Sequence, residues 1–471
     1  MTTLASDPGR PEVLVAHAYV QSNDAHPLAF MCPLPPLQPA CVAAWLDQET
    51  DTKIAMWDAT FRVGADSFAI AVSRIGPKLV WLYTHPTTRS TAAQMIAAAR
   101  GSGAVVIAGG PDAGLKPAFY LRAGAHAVVP GEGEDATLAL LLALRSEHYR
   151  ASDELLRRIP GLYYLDEYGT VRPSDGKERI VETERLPEPL RDPVETRIHL
   201  ERWAHLGRPR SLSLISARGC PVSCGYCTHS VFGRPYRRRS PEAVVDEMER
   251  LAYSFEVDRL IFDDETFLVD PHWLTEFAAT MRKRGLQIPF EGSAHPALVD
   301  PEVMAPLVEA GLTHIDLHAA SGSSDLLRRL NWSYAPSAIY RSANVIRDAS
   351  VSLGLQVFVG LPGETRRDLD ASMEMVRLIR ANGVQVTRVD PDSPALFRKD
   401  WERVVAGPFA EVAGSGDRPP SAVLDAAVTW MRSVGSSPEG APADPIRDWI
   451  GPLRRPILRA LVRGLPGLGR R

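Results

Sequence analysis

No stretch of this chain approaches the ~18–20 continuous apolar residues that a bilayer-spanning helix requires, so no transmembrane helix is expected. Residues 1–20 hold one arginine and no apolar block ahead of a small-residue cleavage site, so no secretory leader is recognised and a cytosolic protein is expected. Charge of one sign is also scarce. With 53 basic and 57 acidic residues the net charge is −4. The basic excess of a nucleic-acid binder is missing, and no nucleic-acid partner is expected. Cysteine is rare and odd in number: Cys32, Cys41, Cys220, Cys224 and Cys227 are the five in 471 residues. The last three crowd into one short segment, a poor disulfide framework and a good metal or cluster signal in a reducing compartment.

What is present is an ordinary globular composition, 45% apolar and 23% charged, over a length that argues for more than one domain. Near-continuous apolar runs at 13–20, 53–60, 78–84, 104–110 and 125–131 alternate with Ala- and Leu-rich helical segments. This alternation predicts an α/β, doubly wound, Rossmann-like domain over residues 1–148, with ligands over the carboxyl ends of its strands. The loops at those ends are Thr84-His85-Pro86-Thr87-Thr88, Gly109-Gly110-Pro111 and Gly131-Glu132-Gly133-Glu134. Residues 149–208 read as a linker with a small β-hairpin and a charged, proline-broken stretch. Between 209 and 395 come further strand-then-helix units, with strands at 211–219, 259–264, 288–294, 314–320, 353–360 and 384–390. They predict a partial (β/α)6 TIM-like barrel, again with its chemistry at the strands' carboxyl ends. Residues 396–471 are less regular and are expected to close the barrel and select substrate. Their arginine-rich end reads either as an interfacial helix touching anionic lipid or as a solvated terminus.

The strongest motif is Cys220-Pro-Val-Ser-Cys224-Gly-Tyr-Cys227, a CxxxCxxC loop after the first barrel strand. Three thiolates on a short loop each bind one iron of a [4Fe–4S] cube and leave the fourth iron open to a chelating ligand. A zinc site is the alternative, with His229 as a further ligand. Gly219 and Gly225 permit the tight turns that such a loop needs.

The loop resembles that of the radical S-adenosylmethionine (SAM) superfamily, with Tyr226 as the aromatic before the third cysteine. The resemblance implies that Cys220, Cys224 and Cys227 hold the cluster and that SAM chelates the open iron. An electron from an external flavodoxin- or ferredoxin-type donor then cleaves SAM to a 5′-deoxyadenosyl radical. Asp263, Asp264 and Glu265 stand where the family holds the methionine ammonium; an acidic helix start is the plainer reading. Ser321-Gly322-Ser323 would approach ribose and carboxylate, or serve as an N-cap. Gly360-Leu361-Pro362-Gly363-Glu364 looks like the turn near adenine. Two departures stand out: Ala320 replaces a carboxylate common in relatives, and His295 follows the third strand where an Arg is common. His295 and His318 are candidate acid–base or substrate groups, with a buried structural role as the alternative.

Residues 1–148 resemble the cobalamin-binding modules fused ahead of such barrels, through GGPDAG (109–114), Ala-Gly-Ala-His-Ala-Val-Val, the turn GEGED (131–135) and Asp58. That likeness implies cobalamin contacts from Thr84, His85, Gly109, Gly110, Pro111, Gly131, Glu132, Gly133 and Glu134. The Asp-x-His-x-x-Gly motif of enzymes that ligate cobalt through histidine is missing after the first strand, so no motif histidine is expected below cobalt. His85 faces the site as a lesser candidate, and Cys32 and Cys41 read as buried small residues. The expected activity is methylation of an unactivated carbon in a small molecule, lipid or peptide. A radical cyclase, oxidase or rearrangement enzyme is one alternative; a cobalamin-responsive regulatory protein is another. Anaerobic reconstitution should load one [4Fe–4S] cluster per chain. Replacing Cys220, Cys224 and Cys227 together by Ala should abolish iron and sulfide binding, and a triple variant that still loads iron refutes the assignment.

Overall fold

The computed structural model describes residues 10–20, 33–62, 64–177, 180–222, 224, 231–233, 235–389, 419 and 421–435. Cys32, Tyr226, Cys227, His229 and the arginine-rich tail lie outside the described residues.

The first sheet is built on β1 (Val13–His17), β2 (Ile54–Trp57), β3 (Leu79–Tyr83), β4 (Val105–Gly109) and β5 (Ala127–Val129). They are mutually parallel in the order β2-β1-β3-β4-β5. Alternate residues serve two separate apolar cores. Leu14, Ala16, Val80 and Leu82 face one, against α2 (Gly64–Ile75) and α3 (Arg89–Gly101). Val13, Val15, Leu79 and Trp81 face the other, against α1 (Leu37–Glu49) and α6 (Glu134–Ser146). Two-sided burial is why these strands read as continuous apolar runs. The short helices α4 (Pro111–Leu115), α5 (Pro117–Arg122) and α7 (Asp153–Arg158) complete the domain. The hairpin β6 (Tyr163–Leu165) and β7 (Val171–Pro173) extends this sheet antiparallel to β5 rather than standing apart.

The second sheet is a six-stranded parallel half-barrel, β15-β14-β13-β12-β11-β8. Its strands are β8 (Ser211–Leu214), β11 (Arg259–Phe262), β12 (Phe290–Ala294), β13 (Leu312–Ala320), β14 (Ser352–Val359) and β15 (Gly383–Arg388). On β13, Ile315, Leu317 and Ala319 join the apolar core beneath the helices. His314, Asp316 and His318 therefore point to the opposite, concave side. The helices start as their sequences dictate. α9 (Pro241–Phe255), α10 (Pro271–Arg284) and α11 (Pro301–Ala310) each carry Pro at the first turn behind a capping Ser240, Asp270 or Asp300. Helices α12 (Ser324–Arg329), α13 (Pro336–Asp348), α14 (Arg366–Ile379) and α15 (Ser421–Gly435) cover the later strands.

The two sheets are tied through α8 (Pro193–His205), from the segment between them. Asp58, after β2, is buried between two histidines, His17 Nε2 at 2.9 Å and His199 Nε2 at 2.7 Å. His199 Nδ1 lies 2.9 Å from the Pro33 carbonyl, so its two ring nitrogens face Pro33 and Asp58. Burial alone would raise the Asp58 carboxyl; the imidazoles, His17 foremost, outweigh it and hold the group well below the usual carboxylate range. Asp58→Asn removes the carboxylate that both imidazoles share, and breaking a buried pairing of this kind should cost about 3–5 kcal/mol, read by urea unfolding at neutral pH. A loss within the error of that measurement would show that the ionic tie is not needed.

Candidate active site

The cysteines sit on the loop of a minimal hairpin. β9 (Ala217–Arg218) pairs antiparallel with β10 (Arg237–Arg238), and the intervening chain is the cysteine loop. Gly219 takes a φ of +83°, and any Cβ there would overlap the Pro235 carbonyl, so glycine is obligatory. Cys220 and Cys224 are half-buried. Cys224 Sγ lies 3.4 Å from Ser333 Oγ and 3.7 Å from His295 Nε2. Burial pushes its thiol up, so a thiolate there needs a neighbouring positive charge. Among the described residues no three metal-binding side chains converge; Cys227, the third thiol of the motif, lies outside them.

The acidic trio after β11 divides by role. Asp264 is committed to its own domain: Ser216 N–H (2.8 Å) and Ala217 N–H (3.2 Å) donate to Oδ1 and the Ser216 hydroxyl to Oδ2. Burial nevertheless lifts its carboxyl to about 7. Asp263 is open to solvent yet raised to about 6 by the protein around it, as expected on the wall of an internal recess. Burial raises Glu265 to about 7, with Asp264 and Glu132 adding repulsion, and its Oε2 has no hydrogen-bond partner among the described residues. Asp263 and Glu265 are thus the two that could receive a cation.

His295, after β12, is buried, with Nε2 3.0 Å from Ser333 Oγ and its ring edge-on to Tyr334 at 4.9 Å. The Tyr334 hydroxyl donates to the His318 carbonyl. Burial depresses both imidazoles to about 4, and His318 further depresses His295. Both are neutral at neutral pH. Ser321 is fully buried, its Oγ 2.8 Å from Ser372 on α14. Ser323 caps α12 and donates to Asp368 at 2.5 Å. This segment therefore grips α14 with the hydroxyls that were candidates for ribose. Ala320, at a φ of +44°, sits at a bulge in the β13–β14 pairing. In the turn after β14, Gly360 and Gly363 have positive φ, Pro362 lies between them, and the Glu364 carboxylate accepts from Gly360 N–H.

On the first domain, Thr84 is spent within the fold: its Oγ1 donates to Gly109 O (2.9 Å) and accepts from Ala113 N–H (3.1 Å). His85 caps the 3-10 turn Pro86–Thr88. Gly109 makes room for the Trp81 indole; Gly110, at a φ of +94°, passes Thr84 O, which a Cβ would approach to 2.7 Å. Pro111 opens α4. Gly131 and Gly133 both have positive φ, and Gly133 precedes α6. The carboxylates of Glu132 and Glu134 turn toward the barrel, where Arg218 and Arg237 bind them. Asp263 in turn faces Tyr83 at the end of β3: burial raises the Tyr83 hydroxyl and the Asp263 charge adds to it. The carboxyl edges of the two parallel sheets therefore face each other. Sequence reasoning missed Arg218, Arg237, His17 and His199. The signal for Arg218 was a lone charge in the run SLSLISARG, immediately before the first loop cysteine.

An imidazole held near 4 when folded, below its ordinary 6.5, binds its proton less tightly folded than unfolded. The stability His318 contributes is thus complete above the unfolded value and lost as pH falls toward the folded one. His318→Gln should accordingly gain on the unmodified chain in melting temperature as pH drops from about 7 to about 5. Parallel melting curves in that window would mean that His318 is not buried neutral.

Comparison with known proteins places this geometry. The Radical SAM superfamily profile matches residues 214–376. An uncharacterized methyltransferase of Pyrococcus horikoshii is 24% identical over 380 residues, 79% of each chain. The anaerobic magnesium-protoporphyrin IX monomethyl ester cyclase of Cereibacter sphaeroides is 27% identical over 258 residues, 53% of this chain but only 40% of the cyclase. Among solved structures, the radical SAM methyltransferase TsrM from Kitasatospora setae, with cobalamin and a [4Fe–4S] cluster bound, superposes with a TM-score of 0.64. The match is 19% identical and covers 80% of this chain and 75% of TsrM. Residues 214–376 thus carry the Radical SAM superfamily profile, and the half-barrel they form stands behind a doubly wound domain in the two-domain fold of TsrM.

Proposed function

We propose that the chain is a cobalamin-dependent radical SAM methyltransferase acting on an unactivated carbon. The observation that carries this reading is the facing of two ligand-binding edges, with Tyr83 and Glu132 on one and Asp263 and Arg218 on the other. Methyltransferases stand among the relatives by sequence and by fold. When bound, a cluster supplies the electron that cleaves SAM, and cobalamin supplies a transferable methyl group.

The chain's own residues do the rest. Cys220, Cys224 and Cys227 would hold the cluster and leave one iron open. Asp263 and Glu265 would receive the SAM ammonium. Their carboxyls are raised by burial, so an arriving cation would ionise them and be bound in proportion. Asp264 instead fixes the strand end at Ser216 and Ala217. The neutral His318 and Asp316 give the concave face of β13 a polar character, suited to orienting a hydroxyl or amine of the substrate. Gly110, Gly131 and Gly133, all at positive φ, keep side chains off the loops of the opposite edge, where the corrin would lie. An external one-electron donor completes the requirement.

With substrate, methylation should release S-adenosylhomocysteine and 5′-deoxyadenosine in equal amounts, because one SAM gives its methyl group and another is cleaved reductively. The cyclase relative favours a second reading, radical ring closure or rearrangement. Product formed with 5′-deoxyadenosine but no S-adenosylhomocysteine would replace methyl transfer by that reading. Neither nucleoside, under reducing conditions with the cluster loaded, would instead support a regulatory protein.

A further inference from the structure

The stem of the cysteine loop is held by charges that belong to both domains. Arg218 and Arg237 are register partners on β9 and β10, where the loop begins and ends. Arg218 sends Nη1 to Glu132 Oε2 at 2.8 Å and Nη2 to Glu134 Oε1 at 2.6 Å. Arg237 binds the other oxygen of Glu132 and reaches the Val181 carbonyl at 3.0 Å. Exposure is 3% for Arg218, 6% for Glu132 and 1% for Glu134. The Arg218 guanidinium also lies 5.0 Å from the centre of the Phe232 ring, on the returning limb of the loop.

Two cations and two anions in this knot balance. Buried ion pairs contribute little net stability relative to well-packed apolar groups. A guanidinium forked between two carboxylates does fix direction, which a lysine ammonium cannot reproduce. Arg218 stands two positions before Cys220, and Glu132 and Glu134 belong to the turn after β5. We propose that Arg218, gripped by Glu132 and Glu134, is a positioning residue that sets the cysteine loop, and the cluster it carries, against the first domain. The inference rests on the cluster reading above only for what the loop carries; the grip itself is a property of the apo chain.

Full-length Arg218→Lys and Glu134→Gln variants test it in two states. In the apo chain, chymotryptic cleavage within the loop, after Tyr226 or Phe232, should quicken in both variants while far-UV circular dichroism stays native. After anaerobic reconstitution, both should bind iron and sulfide as the unmodified protein does. The electron paramagnetic resonance signal of their reduced cluster with SAM should split into more than one species. Release of 5′-deoxyadenosine should fall on the order of tenfold or more, as ångström-scale misplacement of reacting groups does. Cleavage, signal and release indistinguishable from the unmodified protein would overturn the proposal. Should either variant fail to fold, Glu132→Gln, which leaves the Arg218–Glu134 pair in place, is read by the same criteria. An unmodified chain that takes up no cluster would sink the cluster reading alone, and the apo cleavage rates would then decide the grip.

Discussion

Parallel strands offer ligand chemistry at one end only, so two parallel sheets can share a reaction only when their carboxyl edges are held face to face. Among the described residues no apolar core spans that junction: two belong to the first sheet and one to the half-barrel. Polar contacts span it instead. Arg218 and Arg237 reach Glu132 and Glu134, and His199 on α8 reaches Asp58. Directional bonds between rigid elements fix an orientation more sharply than apolar packing, which tolerates sliding. The recess between the edges inherits its shape from them.

Within that recess the electrostatics lean one way. Burial raises Asp263 and Glu265 toward neutrality and keeps His295 and His318 uncharged. A site of this kind gains most from a cationic ligand, whose arrival restores ionisation that the protein alone suppresses. SAM carries an ammonium and a sulfonium. The neighbouring Asp264 shows why position outweighs residue type: three donors from the β8–β9 corner occupy it.

The architecture was legible because its signals are local. Continuous apolar runs marked both parallel sheets, and the cysteine spacing marked the loop. The hidden part consists of partners far apart in sequence. Glu132 and Arg218 are separated by 86 residues and Asp58 and His199 by 141, and no periodicity links such pairs. For the same reason Glu132 and Glu134, in a turn that resembles a cofactor loop, give no hint that their carboxylates face another domain. Ser321 looked available until Ser372, on a helix 51 residues later, took its hydroxyl. Gly109 needs no ligand to explain it, since Trp81 already fills the space a Cβ would claim.

The hairpin that bears the cysteines has only two residues on each side, too few to stand in water by itself. Its rigidity is borrowed across the domain boundary. If the barrel were excised, Arg218 and Arg237 would lose the carboxylates that balance them, and the stem would hydrate and open. The half-barrel of this chain is therefore not a portable module. Exchanging its front domain for another of the same fold would require two acidic residues at the turn after the fifth strand, spaced to meet those two arginines.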